Sequence, residues 1–277
     1  MRLLIILFWI NVLFAQNRQA ETLFAWHGQP AIPDSIGPLT TDRPDFTEAA
    51  STVGQGIIQL EMGYTYTKNT FHENAVVHSL GEPLVRVGLL ANWFEVRFGL
   101  FPLYTSVEGS GSFGWQDSYL GLKLALTDQF RFLPRVAIIP QLSAPTGTAD
   151  LTDGRPLPGT NLVYHWDLTE KLSLSGSTQF NFAMDDQKKQ YISWGQSFSL
   201  GCSLTDQIAV YAEWYTFFPQ NDQQVKTEHY FNGGVSYLPG RDLQFDARVG
   251  AGLTEVSDNF FFGVGLALRI RTFSEME

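Results

Sequence analysis

From Gly56 onward the sequence alternates apolar and polar residues with a period of two, and it returns to that alternation repeatedly until Arg271. Successive side chains of a β-strand point to opposite faces, so this period predicts strands with one apolar and one polar face. In the first run Ile58, Leu60, Met62, Tyr64 and Tyr66 share a face, opposed by Gln59, Glu61, Gly63, Thr65 and Thr67. Further runs start near Val85, Phe94, Leu120, Val136, Leu162, Leu172, Trp194, Ile208, Phe231, Leu243 and Phe262. Together they predict about twelve strands.

The connections between these runs sort by length. Short ones fall at 91–92, 127–133, 169–171, 205–207 and 239–242; long ones span 68–76, 102–115, 145–160, 183–190, 219–227 and 254–259. Short turns alternating with long loops are the pattern of an all-β, single up-and-down antiparallel transmembrane β-barrel, with turns at the periplasmic end and loops outside. A sandwich of the immunoglobulin kind has no reason to sort its connections this way.

A barrel in lipid turns its apolar rows outward and lines its lumen with the polar ones. The polar rows carry Glu61, Arg86, Glu95, Arg97, Asp117, Lys123, Arg135, His165, Asp167, Glu213, Asp246, Arg248, Arg269 and Arg271, whereas the apolar rows carry almost no charge. These residues are the candidates for a substrate path. A mixed-charge ring selects solutes through its field, and the same residues paired with one another would instead fill a closed interior. Both readings stay open at this stage, because about twelve strands fall between the eight that side chains fill and the sixteen of water-filled porins.

Charge and cysteine usage exclude several function classes. A formal net charge of -10 argues against a nucleic-acid partner, whose phosphates must be neutralised by Lys and Arg. Cys202 is the single cysteine, so no internal disulfide, zinc site or redox pair is expected. The acidic loop residues Asp150, Asp153, Asp185 and Asp186 lack the repeated spacing of a calcium loop, and neither metal nor cofactor is expected. At the N-terminus Arg2 precedes an apolar stretch from Leu3 to Phe14 and a small Ala15. That stretch is too short to span a bilayer and reads as a Sec-type signal peptide over residues 1–15. Export leads to the bacterial outer membrane, with outer-membrane lipid, the barrel-insertion machinery and a small-molecule solute as expected partners. The oligomeric state is left open.

Between the signal peptide and the barrel, expected over 56–273, residues 16–55 form an irregular periplasmic leader marked by Pro30, Pro33, Pro38 and Pro44. Its charge is concentrated in Thr41-Asp42-Arg43-Pro44-Asp45-Phe46-Thr47-Glu48. Asp42, Arg43, Asp45 and Glu48 are candidates for a plug or latch docking into the lumen charges. The plainer reading is a capped turn at the barrel entrance, fixed by an aspartate side chain and the rigid Pro44.

This string, followed by Gly56-Ile57-Ile58-Gln59-Leu60-Glu61, resembles the transporter-like outer-membrane proteins named for the meta-pathway of phenol degradation. Gly121-Leu122-Lys123, Pro145-Thr146-Gly147 and Phe262-Gly263-Val264-Gly265-Leu266 extend the resemblance over about residues 40–271. It implies an outer-membrane channel or transporter that passes small, aromatic or hydrophobic solutes by passive or facilitated diffusion. The chain departs from the usual terminal aromatic, since Ser274-Glu275-Met276-Glu277 follows Phe273. Two other classes are carried beside this one: a structural or adhesive barrel with a closed lumen, and a lipid-active barrel enzyme. The enzyme would need a Ser-His pair on the outer surface. Only His229 has the parity of that face, with no evident serine partner, so no catalytic residue is assigned.

Overall fold

The computed structural model describes residues 37–69, 75–185, 187–220 and 224–271. The expected signal peptide, the first part of the leader and the residues after Arg271 lie outside this range. The chain forms β1 (Ile57–Asn69), β2 (Ala75–Gly88), β3 (Phe94–Gly99), β4 (Pro102–Val107), β5 (Ser110–Trp115), β6 (Ser118–Thr127) and β7 (Arg135–Ala144). It continues with β8 (Leu157–Asp167), β9 (Leu172–Met184), β10 (Gln190–Ser203), β11 (Ile208–Gln220), β12 (Glu228–Tyr237), β13 (Leu243–Gly252) and β14 (Phe260–Arg271).

Each of these pairs antiparallel with its neighbours, and the sheet closes on itself because β1 pairs with both β2 and β14. The closing seam runs from Ile57 opposite Arg271 to Lys68 opposite Phe260. β3 and β4 are two pieces of one strand, since both pair with β2; β5 and β6 likewise continue one another, pairing with β4 and β3. The barrel therefore has twelve strands. Closure pairs the barrel strands on both sides, so their backbone groups need no water, and only the β5 extension keeps an unpaired edge among the described strands.

Two departures from the expected strands lie in neighbouring elements, and the first has a local cause. The alternation predicts a strand only from Val85 and a loop over 102–115, whereas β2 starts at Ala75 and that loop is the hairpin β4–β5. Between Glu61 and Gly63 of β1 the register of β2 slips, at Gly81 (φ 75°), Glu82 (φ 39°) and Pro83. A bulge inserts one residue and so reverses which parity faces inward. Below it Leu84 and Arg86 face the interior, and above it Gly81 and Ser79 do. A window spanning the slip shows no constant period.

The inward and outward rows fall as the alternation requires. Glu61, Arg86, Glu95, Lys123 and Glu213 are fully buried, whereas outward Phe198, Leu200, Phe231 and Val264 are 45–51% exposed. A contiguous apolar surface that encircles the barrel is stable only against lipid. Aromatic pairs brace it between strands: Tyr66 stacks on Phe262 at 5.3 Å and Phe180 on Trp194 at 5.9 Å. Inside, Ala50 of the leader packs against Ile139 and Val163 in a small apolar patch.

Candidate functional site

Residues 37–55 lie inside the barrel and are gripped by its wall on many sides. Asp42 is the hub. Its carboxylate accepts hydrogen bonds from Lys123 Nζ at 2.9 Å and Arg97 Nη2 at 2.7 Å, with Arg86 Nη1 3.4 Å away. Its backbone N–H donates to Glu61 at 3.0 Å, and Ala49 N–H donates back to Asp42 at 2.7 Å, so the same side chain also closes the turn. Burial by itself would raise the Asp42 carboxyl, but the cations Arg86, Lys123 and Arg97 hold it below the usual carboxylate range.

Arg43 reaches the opposite way, to Glu82 at 2.6 Å and Asp246 at 3.4 Å. The parity slip at Gly81–Pro83 is what brings Glu82 within reach. On the far wall Glu213 accepts from the backbone N–H groups of Phe46 and Thr47, both at 2.7 Å, and from the Thr47 hydroxyl. Thr47 also meets Ser197 at 2.6 Å. Glu48 pairs with Arg97 at 2.5 Å and accepts from Asn161 at 2.6 Å. Arg248 donates to the carbonyl of Pro44 at 3.1 Å, and Val53 N–H donates to Glu95 at 2.9 Å. Phe46 stacks on Tyr215 with ring centres 4.4 Å apart, and Tyr215 in turn on Tyr230 at 4.8 Å. Asp45 is pushed well above the ordinary carboxylate range, first by burial and then by the nearby Glu213.

Both ends of this segment sit at the short-turn rim, the periplasmic end in barrels of this architecture. Leu39 N–H donates to Arg241 C=O in the 239–242 turn and Arg269 donates to Gly37 C=O at 2.9 Å, while Gly56 N–H donates to Gly88 C=O at the end of β2. The leader thus enters and leaves through one mouth. On its extracellular side it leaves a cavity of about 310 Å³, walled by Asp42, Arg43, Asp45 and Glu48 below and by Glu82, Arg97, Phe101, Tyr119 and Arg248 around it.

The candidate residues divide into three groups by depth, which parity alone does not encode. Glu61, Arg86, Glu95, Arg97, Lys123, Glu213, Asp246 and Arg248 meet the leader or one another. Arg135, His165 and Asp167 keep the inward parity but stand at the periplasmic mouth, where Asp167 is 58% exposed and pairs with His165 at 3.0 Å. Arg269 belongs to the same mouth, bound to Asp242 at 2.7 Å. Asp117 lies at the other end and fastens an extracellular loop, accepting from Gly147 N–H at 2.9 Å and Asp153 N–H at 3.0 Å. Arg271 pairs with Ile57 in the sheet. The alternation placed Tyr119 on the polar row without making it a candidate, and Tyr215 and Tyr230 share the inward parity of Glu213 and Asn232; Glu82 and Phe101 fall outside the expected strands, where the bulge and Gly99 are their signals. His229 stacks on Trp214 at 5.8 Å, and Ser257 bonds its backbone rather than its ring.

Comparison with known proteins follows the same lines. The sequence profile of the family described as "Putative MetA-pathway of phenol degradation" matches residues 41–270. No curated protein sequence matches this one. Among solved structures, the COG4313 outer membrane channel from Pseudomonas putida F1 aligns with a TM-score of 0.64 at 14% identity, covering 80% of this chain and 98% of that one. The NanC porin aligns with a TM-score of 0.51 at 10% identity, covering 77% and 100%. At such identities the likeness is one of fold: a bacterial outer-membrane β-barrel.

Proposed function

The chain belongs to this phenol-degradation family, and on that premise we propose that it is an outer-membrane channel for small aromatic or hydrophobic solutes, moving by passive or facilitated diffusion. The observation that carries this reading is the charged inner wall clasping residues 37–55, with a cavity of about 310 Å³ beside them. A path so constricted suits single-ring molecules and not the wide aqueous stream of a general porin. In this reading the leader, residues 16–55, works as a plug or latch on the barrel of residues 56–273. Glu61, Arg86, Glu95, Arg97, Lys123, Glu213, Asp246 and Arg248 line the path at its depth, Arg135, His165, Asp167 and Arg269 line its periplasmic mouth, and Asp117 shapes its outer one. The signal peptide delivers the chain to the periplasm, and the insertion machinery seats it in the membrane.

The test is conductance and liposome swelling with the purified protein, before and after deletion of residues 40–50. Deletion is expected to raise conductance severalfold. An unchanged value would remove the latch. The second reading, a structural barrel with a closed lumen, is favoured by the number of buried ion pairs; absence of uptake of any phenolic, sugar or alkane would establish it.

A further inference from the structure

The cavity beside the leader has an excess of hydrogen-bond donors. Among the described residues, buried side-chain atoms without a hydrogen-bond partner include Arg43 Nε, Arg97 Nε and Nη1, Arg248 Nε and the Tyr119 hydroxyl. All four residues line this one cavity. The other unpartnered buried atoms, Thr160 Oγ1, Asn161 Oδ1 and Asp246 Oδ2, belong to residues outside its lining. Arg97 shows why. Its side chain is 1% exposed, and Asp42 at 2.7 Å and Glu48 at 2.5 Å both take the same nitrogen, Nη2. Its Nε stands 3.6 Å from Glu95, beyond hydrogen-bond reach, and its Nη1 has no partner. Buried donors are costly to leave unmade, so the wall suits an acceptor that comes from outside the chain.

The walls that complete the cavity are flat and aromatic. Phe101 folds over Gly99, where a Cβ would come within 2.9 Å of its ring, and the Tyr119 hydroxyl lies over Gly121 in the same manner. An engineered cavity of about 150 Å³ takes benzene; about 310 Å³ takes one ring and a substituent. Charge narrows the class further. The carboxyl groups on the leader and the inner wall outnumber the cations, so an arriving anion adds to an existing negative excess, whereas a hydrocarbon leaves the donors unmade. We propose that this cavity is a binding site for a neutral single-ring aromatic carrying a carbonyl oxygen, of the aldehyde or ketone class, its ring against Phe101 and Tyr119 and its oxygen accepting from Tyr119 and Arg97. The assignment rests on reading the barrel as a solute path.

The experiment is calorimetric titration of the full-length exported protein in detergent micelles with benzaldehyde, toluene and benzoate. Benzaldehyde is expected to bind at least about tenfold more tightly than either of the others, a factor equal to one hydrogen bond of about 1.4 kcal/mol. Tyr119→Phe should cut the benzaldehyde-to-toluene ratio by about the same factor, and Phe101→Leu should weaken both ligands. Toluene binding as tightly as benzaldehyde, benzoate binding tightest, no binding of any, or a ratio indifferent to Tyr119→Phe would each overturn the site. The wild-type ranking decides the matter by itself should a variant fail to fold. Uptake into liposomes is read separately: uptake without this ranking sinks the site and leaves the channel standing, and the ranking without uptake does the reverse.

Discussion

Arg43 fits against the barrel wall because Gly63 of β1 and Gly265 of β14 present no side chain to it; a Cβ at either position would meet its guanidinium. Gly265→Val is expected to displace Arg43 and leave Glu82 and Asp246 buried without their cation, weakening leader docking by about 3 kcal/mol. Planar-bilayer recordings should then show more frequent or larger openings than in the wild type. Asp45 and Asp42 give docking a pH dependence with opposite signs. The Asp45 carboxyl is raised by burial and by Glu213, so its contribution to docking is full below the ordinary carboxylate value and is lost as pH rises through its docked value. Asp42 is lowered by its three cations, so its contribution is present above the ordinary value and is lost as pH falls through its docked one. Above the ordinary carboxylate range the Asp42 contribution is already complete, so of these two only the Asp45 branch operates. Conductance should therefore climb with pH in the wild type and stay level in Asp45→Asn.

As an element, the leader ties together strands far apart in sequence. Asp42 meets Lys123, and Thr47 meets Glu213, 166 residues away. Asp42→Ala strips the shared carboxylate from Arg86, Arg97 and Lys123, all fully buried. Loss of about 3–5 kcal/mol of stability is expected, because unpaired buried charges cost that much. Heat-modified gel mobility reads it, and an unfolding temperature equal to wild type would show that the clasp carries no weight. Much of the element scale was legible in the sequence, since period two and loop sorting place the barrel strands without any knowledge of their partners. The upper half of β2 was not, because the slip at Gly81–Pro83 inverts the parity on which the reading depends. Nor was the depth of each inward residue: Arg135 and Arg86 have the same parity and the same chemistry, but one stands at the mouth and the other at the centre. The docking of Asp42 was open as one of two readings; its partners depend on closure and register, which no local pattern records.

For the whole molecule the interior is a network of charges in which the chain's own leader pairs with the wall. Liposome swelling should accordingly admit single-ring compounds and exclude disaccharides, and deletion of residues 40–50 should admit both. Equal rates for both solutes in the intact protein would contradict a constricted path. The route of the leader has a mechanical consequence. Gly37 and Gly56 are both fastened at the periplasmic rim, so the segment goes into the barrel as a bight, doubled like rope, and not as a threaded end. Connections in proteins avoid threading, and a bight can be pushed in after the seam between β1 and β14 has closed or drawn out again without any chain terminus passing through the pore. Removal then breaks side-chain bonds and the backbone bond of Leu39 to Arg241 at the rim, and leaves no knot behind.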